Sequence, residues 1–368
     1  MMTLTGAIVS AQTIKIGAIL SVTGPASFLG GPELRSLQML VETINKQGLA
    51  GGHTIDLIVK DSAASSEKAI SFAKQFIEEE QVFAIVGPST SGESLAIKQL
   101  CDSNKTILMS CASAELIVNP VAPFVFKTAP SDSLAARKIF MTMNTMGISK
   151  VALVTGNTGF GKAGKMQILK IAPEYGIELV ENEVYDKAAT DLTAVVAKMK
   201  ANKNIQAVIN WSIVPAQSIV AKNIRQAKWD VPLFQSHGFA NIKYVEAAGA
   251  AAEGILFPAS RLIVAQALPD SEKKAFLVNF ITEYENRFQE KASTFSGHTY
   301  DAMMILAKAI SIAGPDKQKV RDAIENMKGY FGTAGEFNFS AQDHSGLSID
   351  AFTMITVKDG KFVPLYQE

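Results

Sequence analysis

The sequence predicts an α/β protein with two lobes, each built around a parallel-rich sheet. The chain has 368 residues with 48% apolar content, more than one hydrophobic core usually serves, so we expect two domains. Short β-rich runs alternate with amphipathic helical stretches, and this alternation is typical of parallel sheets with helices on both faces. The alternation restarts near Lys150, which indicates two successive α/β units.

The first unit begins with a β-rich run at 14–20 and a helix over 32–46. The helix is predicted because apolar side chains recur at helical spacing after a loop rich in Gly, Pro and Ser. The unit continues with strands at 54–60, 83–86 and 106–110 and with helices at 66–79 and 91–101.

The second unit repeats the pattern with strands at 150–155, 177–185, 207–210 and 232–235 and helices at 161–175, 192–202 and 215–227. Helices at 271–289, 298–313 and 320–327 follow, and then β-rich runs at 337–339, 352–357 and 361–363. This tail is too small to form a domain. We therefore expect it to complete sheets begun earlier, so the chain crosses between the lobes more than once.

Charge and composition exclude several classes of function. The chain has 35 basic and 35 acidic residues with no long run of one sign, which argues against a nucleic-acid or membrane-surface partner. No apolar stretch reaches the roughly 18 residues of a spanning helix. The four histidines match no metal-ligand spacing and the two cysteines do not cluster with them, so we predict no metal and no cofactor. A small solute is the expected partner.

The N-terminus contains a candidate targeting signal. Residues 4–11 are small and apolar and end in Val9-Ser10-Ala11, which resembles the tail of a secretory signal with cleavage after Ala11. The segment lacks a basic region and a full apolar core, so it is either part of a longer signal or an ordinary terminus. No cysteine lies near the cleavage site, so we expect a periplasmic protein without a lipid anchor, with residues 1–11 as a residual signal segment.

The two cysteines are predicted to be free. An oxidising compartment favours pairing, but the predicted strand 106–110 separates Cys101 from Cys111. At about 3.3 Å per residue, such a strand exceeds the roughly 7 Å between Cα atoms that a disulfide tolerates.

Sequence motifs for catalysis are incomplete. The run 156–162 matches GxxxxGK of a phosphate-binding loop, but Ala163 replaces the hydroxyl residue that would hold Mg²⁺. We interpret it as a Gly-rich turn that opens a helix. No Gly-x-Ser-x-Gly motif or recognisable catalytic triad is present, so no enzymatic activity is predicted.

Two strand-end loops predict a carboxylate site. Open α/β sheets bind ligands where their strands end. The loop 87–92 carries three consecutive hydroxyl residues at 89–91 and opens a helix, whose N-terminus favours an anion. An N-cap needs one such residue, so three indicate more than capping. The loop 110–113 adds the hydroxyl of Ser113.

Eight short motifs, in order along the chain, then suggest a family. They are Ile14 to Gly17, Thr23-Gly24-Pro25 with Gly30, Asp61, Val86-Gly87-Pro88-Ser89, Phe126-Lys127-Thr128-Ala129-Pro130, Phe160-Gly161, Ala252-Glu253-Gly254 and Thr299-Tyr300-Asp301-Ala302. Together they resemble the leucine/isoleucine/valine-binding type of class I periplasmic solute-binding proteins, which serve ABC importers.

The resemblance implies the periplasmic binding protein type I fold, in which two Rossmann-like lobes are joined by a three-crossover hinge. Lobe one would hold residues 12–127 and 257–334, and lobe two would hold 128–256 and 335–368, with hinges near Phe126-Lys127, Phe257-Pro258 and Ala334-Gly335. The ligand would lie between the lobes, and closure would signal an inner-membrane ABC permease. We expect a monomer.

The resemblance also implies ligand-binding residues. Ser91, Ala112 and Ser113 match the positions that hold a ligand carboxylate. Leu29 falls where the family often has an aromatic lid, and Phe160 replaces a usual tyrosine.

His237 is the main departure from the family pattern. Amino-acid binders usually carry an acid in this loop to pair with the ligand ammonium, and histidine has no permanent negative charge. Candidate pocket walls are Phe28, Phe160, Trp211, Phe239 and Phe295. His298, at the start of a predicted helix, is a candidate to face the cleft, and the alternative for both histidines is a surface or helix-capping role. We therefore predict an apolar or aromatic carboxylate. The alternative ligand is a branched-chain or other neutral amino acid, whose ammonium group would pair with the carboxylate of Glu115 or Asp301. The alternative role for the aromatic residues is core packing.

Overall fold

The computed structural model describes residues 11–366 and contains two large sheets. The first sheet has five parallel strands in the order β2-β1-β3-β4-β5. They are β1 Thr13–Leu20, β2 Thr54–Asp61, β3 Ala84–Val86, β4 Ile107–Ser110 and β5 Val125–Lys127.

The second sheet has seven strands in the order β14-β13-β10-β9-β8-β6-β7. Five are parallel to one another, and the last two along the chain are antiparallel additions at one edge. They are β6 Lys150–Gly156, β7 Glu178–Tyr185, β8 Ala207–Trp211, β9 Leu233–Gln235, β10 Leu256–Ala259, β13 Thr353–Lys358 and β14 Lys361–Pro364. A separate hairpin pairs β11 Tyr330–Phe331 with β12 Glu336–Phe337.

Helices cover the sheets. They are α1 Ser27–Gln47, α2 Ser66–Glu78, α3 Ser91–Ser103, α4 Asp132–Thr145, α5 Gly159–Ile171, α6 Thr193–Ala201, α7 Ala216–Gln226, α8 Ile242–Ala248, α9 Glu272–Phe288, α10 Thr294–Ala313 and α11 Lys317–Glu325. Within residues 11–366, no helix combines the length and apolarity needed to cross a membrane. Residues 1–10 of the proposed signal segment 1–11 lie outside the described residues.

Helix α1 begins at Ser27, five residues before the predicted start at Pro32. Proline suits a first helical turn because it has no N–H group to satisfy there, which is why the sequence suggested that start. In the structure Pro32 lies inside the helix, so the carbonyl of Phe28 loses its usual donor four residues later. The side chain of Asn241, beyond β9, supplies a donor instead: its Nδ2 lies 2.8 Å from the Phe28 oxygen.

Five elements were not predicted, namely α4, α8, β5, β10 and β11. β5 spans only three residues, too few to display an alternating pattern. Pro258 argues against a central strand because it removes a ladder donor, yet β10 pairs with both β9 and β13.

The packing bears on where the chain crosses between lobes. Phe337, Phe339 and Leu347 lie in the same core as β1 and α10 of the first sheet, and the chain joins the second sheet at β13. We therefore propose that the third crossover lies near Phe352 rather than at Ala334-Gly335. Because β10 contains Phe257 and Pro258, the second crossover would follow Ala259. The lobe limits remain proposals.

Both cysteines are buried and unpaired, so the prediction of free thiols is confirmed. Burial raises the pKa of Cys101 to about 12 and that of Cys111 well above its usual value, which keeps both thiols protonated.

Candidate functional site

A small cavity of about 20 Å³ lies between the two sheets, at the carboxyl ends of their strands. Seven of the ten predicted site residues line it, and they come from both lobes: Leu29, Ser91, Ala112, Ser113, Phe160, His237 and His298. The remaining lining residues are Ser89, Thr90, Cys111, Ala129, Ile213, Gly238 and Phe295. A larger groove of about 790 Å³ around Arg261 and Asp350 shares no lining residue with this cavity. We place the site in the cavity because the predicted residues meet there and not in the groove.

Three predicted wall residues do not line the cavity. Phe239 is fully buried in the core of the second sheet, with its ring centroid 5.4 Å from that of Phe257. Trp211 lies behind Phe160, with ring centroids 5.7 Å apart. The ring of Phe28 packs edge-on against Tyr244, 5.2 Å between centroids. The sequence could not separate core rings from wall rings because both kinds are buried.

The hydroxyl loops lie where the sequence predicts them, but one predicted donor is already used. Thr90 caps α3, which begins at Ser91, and Ser91 Oγ accepts a hydrogen bond from the Ala114 nitrogen at 3.3 Å. The N–H of Ala112 donates to Ser110 Oγ at 3.2 Å. That N–H group therefore bonds within the loop rather than facing a ligand.

Two helix N-termini meet beside the cavity, one from each lobe. The turn 156–162 opens α5, and Thr158 caps that helix by accepting from the Gly161 nitrogen at 3.0 Å. A Cβ on Gly159 would lie only 2.5 Å from the Cα of Gly92 in the first turn of α3. Two positive helix ends converge here, which favours a negatively charged ligand group.

The turn after β9 places His237 against aromatic rings. Ser236 fixes this turn because its Oγ accepts from the Gly238 nitrogen and donates to the Ser212 oxygen, both at 3.2 Å. The His237 ring centroid lies 5.2 Å from that of Phe160 and 5.5 Å from those of Trp211 and Phe352.

Burial lowers the pKa of both cavity histidines to about 3, so both imidazoles are neutral near pH 7. Repulsion from Lys127 adds to this effect at both rings. Lys127 is itself buried at the end of β5, where its Nζ donates to the Ala129 oxygen at 2.7 Å. Burial also lowers the pKa of Lys127 to about 8.

Sequence analysis missed two buried carboxyl groups behind the hydroxyl loop. Ser89 Oγ donates to Glu33 Oε2, and Ser21 Oγ donates to Glu93 Oε2 at 2.8 Å. Burial raises the pKa of Glu33 to about 8 and that of Glu93 above its usual value. Glu33 is therefore largely protonated near pH 7 and adds little negative charge beside the cavity. The only sequence signal was an acid next to Pro32 on the apolar face of α1.

The two acids considered as ammonium partners lie elsewhere. Asp301 accepts hydrogen bonds from the nitrogens of Thr333 and Ala334 at 2.7 and 2.9 Å, and it does not line the cavity. Glu115 accepts from Asn119 Nδ2 at 3.1 Å and also lies outside the lining.

The sequence pattern of the periplasmic binding proteins matches residues 13–361, nearly the whole chain. The chain belongs to this family. A curated relative, the leucine-, isoleucine-, valine-, threonine- and alanine-binding protein of Pseudomonas aeruginosa, is 23% identical over 317 residues, which are 86% of this chain and 83% of the relative.

Solved structures share the architecture of this periplasmic binding protein. An extracellular ligand-binding receptor from Rhodopseudomonas palustris HaA2 superposes with a TM-score of 0.87 at 26% identity and covers 95% of this chain and 99% of its own. The branched-chain amino acid transporter substrate binding protein LivJ from Streptococcus pneumoniae, solved with isoleucine, superposes with a TM-score of 0.81 at 24% identity and covers 95% and 97%. The predicted fold class and family resemblance are confirmed.

These relatives are solute-binding proteins and not enzymes, so the prediction of a non-enzymatic role is also confirmed. Within this family the inter-lobe cavity is the natural candidate for the ligand site, because its walls come from both sheets.

Proposed function

We propose that this periplasmic binding protein is exported, captures a small carboxylate without an amino group between its lobes, and delivers it as a monomer to an inner-membrane ABC permease. The proposal includes export because the family is periplasmic by name. It assigns the carboxylate to the loops that carry Ser91 and Ser113, beside the paired N-termini of α3 and α5.

One observation carries the choice of an amine-free ligand: among the described residues that line the cavity, none is Asp or Glu. A buried ammonium without a carboxylate partner costs several kcal/mol. His237 stands in the loop where an acid was expected, and its neutral imidazole cannot replace that charge.

The lining of the cavity supports an apolar ligand body. Leu29, Phe160, Ile213 and Phe295 form apolar walls. The cavity measures about 20 Å³, room for about one water molecule. A ligand would therefore enter by separating the two lobes. We favour an aromatic acid because aromatic rings surround the far wall at His237.

Thermal unfolding with added ligands tests the proposal. Benzoate should raise the unfolding midpoint and leucine should not, because a ligand at 100 times its dissociation constant adds about 2.7 kcal/mol to stability. Native mass spectrometry of freshly purified protein would identify a retained solute. Stabilisation by leucine or isoleucine but not by benzoate would refute the amine-free assignment and favour the amino acids that the Pseudomonas relative is named for.

A further inference from the structure

Two cavity-lining imidazoles have polar atoms without partners. Both ring nitrogens of His237 and Nδ1 of His298 are buried and make no hydrogen bond to any residue that the structure describes. His237 is 7% exposed and His298 is 5% exposed, and both line the cavity. Buried polar groups are almost always hydrogen-bonded in native proteins. Two such groups in one cavity therefore point to a bound molecule.

The aromatic rings beside His237 supply no hydrogen-bond acceptor. Phe160, Trp211 and Phe352 lie 5.2 to 5.5 Å from the His237 ring, centroid to centroid. The indole nitrogen of Trp211 packs against Gly164 of α5, where a Cβ would lie 2.0 Å from it, and it too has no hydrogen-bond partner among the described residues. The turn itself is held by Ser236, so the ring is not needed to stabilise it.

The chemistry of the two rings favours a neutral polar partner. No group of three metal-ligating side chains occurs within residues 11–366, so a metal site is not indicated. An ionised carboxylate only accepts hydrogen bonds and would leave the imidazole lone pairs without a donor. A neutral imidazole offers one N–H donor and one lone pair, and a group that both donates and accepts is its best complement.

We infer that the ligand carries a hydroxyl group in addition to its carboxylate, and that His237 and His298 bind this hydroxyl. The inference rests on the proposed function, because it adds a second polar group to the same ligand. The carboxylate would lie at the hydroxyl loops of lobe one, and the hydroxyl would contact His237 of lobe two. A hydroxylated aromatic acid therefore bonds to both lobes at once, whereas an unsubstituted acid bonds to one lobe only. His237 thus determines specificity.

A set of matched ligands tests this inference on the wild-type protein. The set is benzoate, 3- and 4-hydroxybenzoate, 4-methylbenzoate as a steric control, and terephthalate as a dianion, all measured by isothermal titration calorimetry. We expect one of the hydroxybenzoates to bind at least tenfold more tightly than benzoate and 4-methylbenzoate. Equal affinity for hydroxy and methyl compounds, or a preference for terephthalate, overturns the inference but leaves the proposed function intact. If none of the acids binds, the proposed function itself fails.

Variants assign the effect to the histidines. His237→Phe keeps an aromatic ring beside Phe160, Trp211 and Phe352 and removes both ring nitrogens. It should abolish the tenfold preference, so that the hydroxyl compound and benzoate bind this variant with about the same affinity. His298→Phe should reduce the preference as well. His53→Phe is the control, because His53 is buried away from the cavity, where its Nδ1 accepts from the Gln12 nitrogen.

A spectroscopic readout separates bonding from shape. The imidazole nitrogen resonances of His237 in ¹⁵N-labelled wild-type protein should shift with hydroxybenzoate and not with 4-methylbenzoate. An equal loss of affinity for both compounds in His237→Phe, with unshifted resonances, would give His237 a steric role only and overturn the inference. If this variant does not fold, the wild-type resonances and ligand series still decide.

Discussion

The substitution Asn241→Asp should weaken closure of the two lobes without unfolding either one. Asn241 has two roles: its Oδ1 accepts from the Lys243 nitrogen at 3.0 Å and so caps α8, and its Nδ2 donates to the Phe28 carbonyl of α1 at 2.8 Å. Aspartate has the same shape and caps helices as well as asparagine does. It replaces the inter-lobe donor with an oxygen, which then faces the carbonyl of Phe28.

The expected size of this effect follows from the contact. Loss of one hydrogen bond costs about 0.5–1.5 kcal/mol, and a buried acceptor left unpaired costs about 1–3 kcal/mol. Pro32 leaves the Phe28 carbonyl without a helical donor, so no other donor from α1 compensates. A penalty of about 1.5–3 kcal/mol on the closed state alone corresponds to a roughly 10- to 150-fold loss of ligand affinity.

Calorimetry and small-angle X-ray scattering check this prediction. Ligand affinity should fall by the stated factor, and the fraction of compact protein should decrease at a fixed ligand concentration. Asn241→Ser is the matched comparison, because serine still caps α8 and loses the bond to α1 without placing an oxygen against the Phe28 carbonyl. Its loss of affinity should be smaller than that of Asn241→Asp. If Asn241→Asp binds ligand as tightly as the wild type, the contact with Phe28 does not stabilise the closed state.

Two further predictions concern the helix ends and the buried acid. Gly159→Ala should lower ligand affinity at least tenfold by calorimetry, because its Cβ would lie 2.5 Å from the Cα of Gly92. Gly31→Ala is the control and should have a smaller effect, because its Cβ would meet only the end of the Arg35 side chain, at 3.4 Å. An equal effect of both would contradict steric blocking of closure. Burial raises the pKa of Glu33 from 4.5 to about 8, so its contribution to stability is complete below about pH 4.5 and is lost as the pH rises towards 8. Between pH 4.5 and 8, the free energy of unfolding of Glu33→Gln in urea should rise by a few kcal/mol relative to that of the wild type. A difference in unfolding free energy that stays constant with pH would show that Glu33 does not titrate in this way.

Local patterns in the sequence determined most of the fold. The second α/β unit was predicted closely, with β6 starting at Lys150 as expected and α7 within one residue of its predicted ends. This succeeded because helix and strand periodicity is carried by neighbouring residues. The same holds for Ser91 and Ser113, since strand ends of a parallel sheet meet at one edge.

Contacts between distant segments decided the rest. The bond between Asn241 and Phe28 joins residues 213 apart, and no local pattern indicates it. Burial of Glu33 likewise depends on packing against Ser89, 56 residues away. The aromatic residues show the same limit, because Phe239 and Phe160 are both buried but only Phe160 lines the cavity.

The sequence by itself determined that this protein has two parallel-rich units with hydroxyl loops at their strand ends, because those features depend on residues close together in the chain. Only the tertiary structure brought the N-termini of α3 and α5 together and placed His237 among aromatic rings, in a cavity to which the described residues contribute no acid. The physical reason is that the electrostatics of a buried site depend on which groups share a low-dielectric cavity, and this is set by packing between lobes.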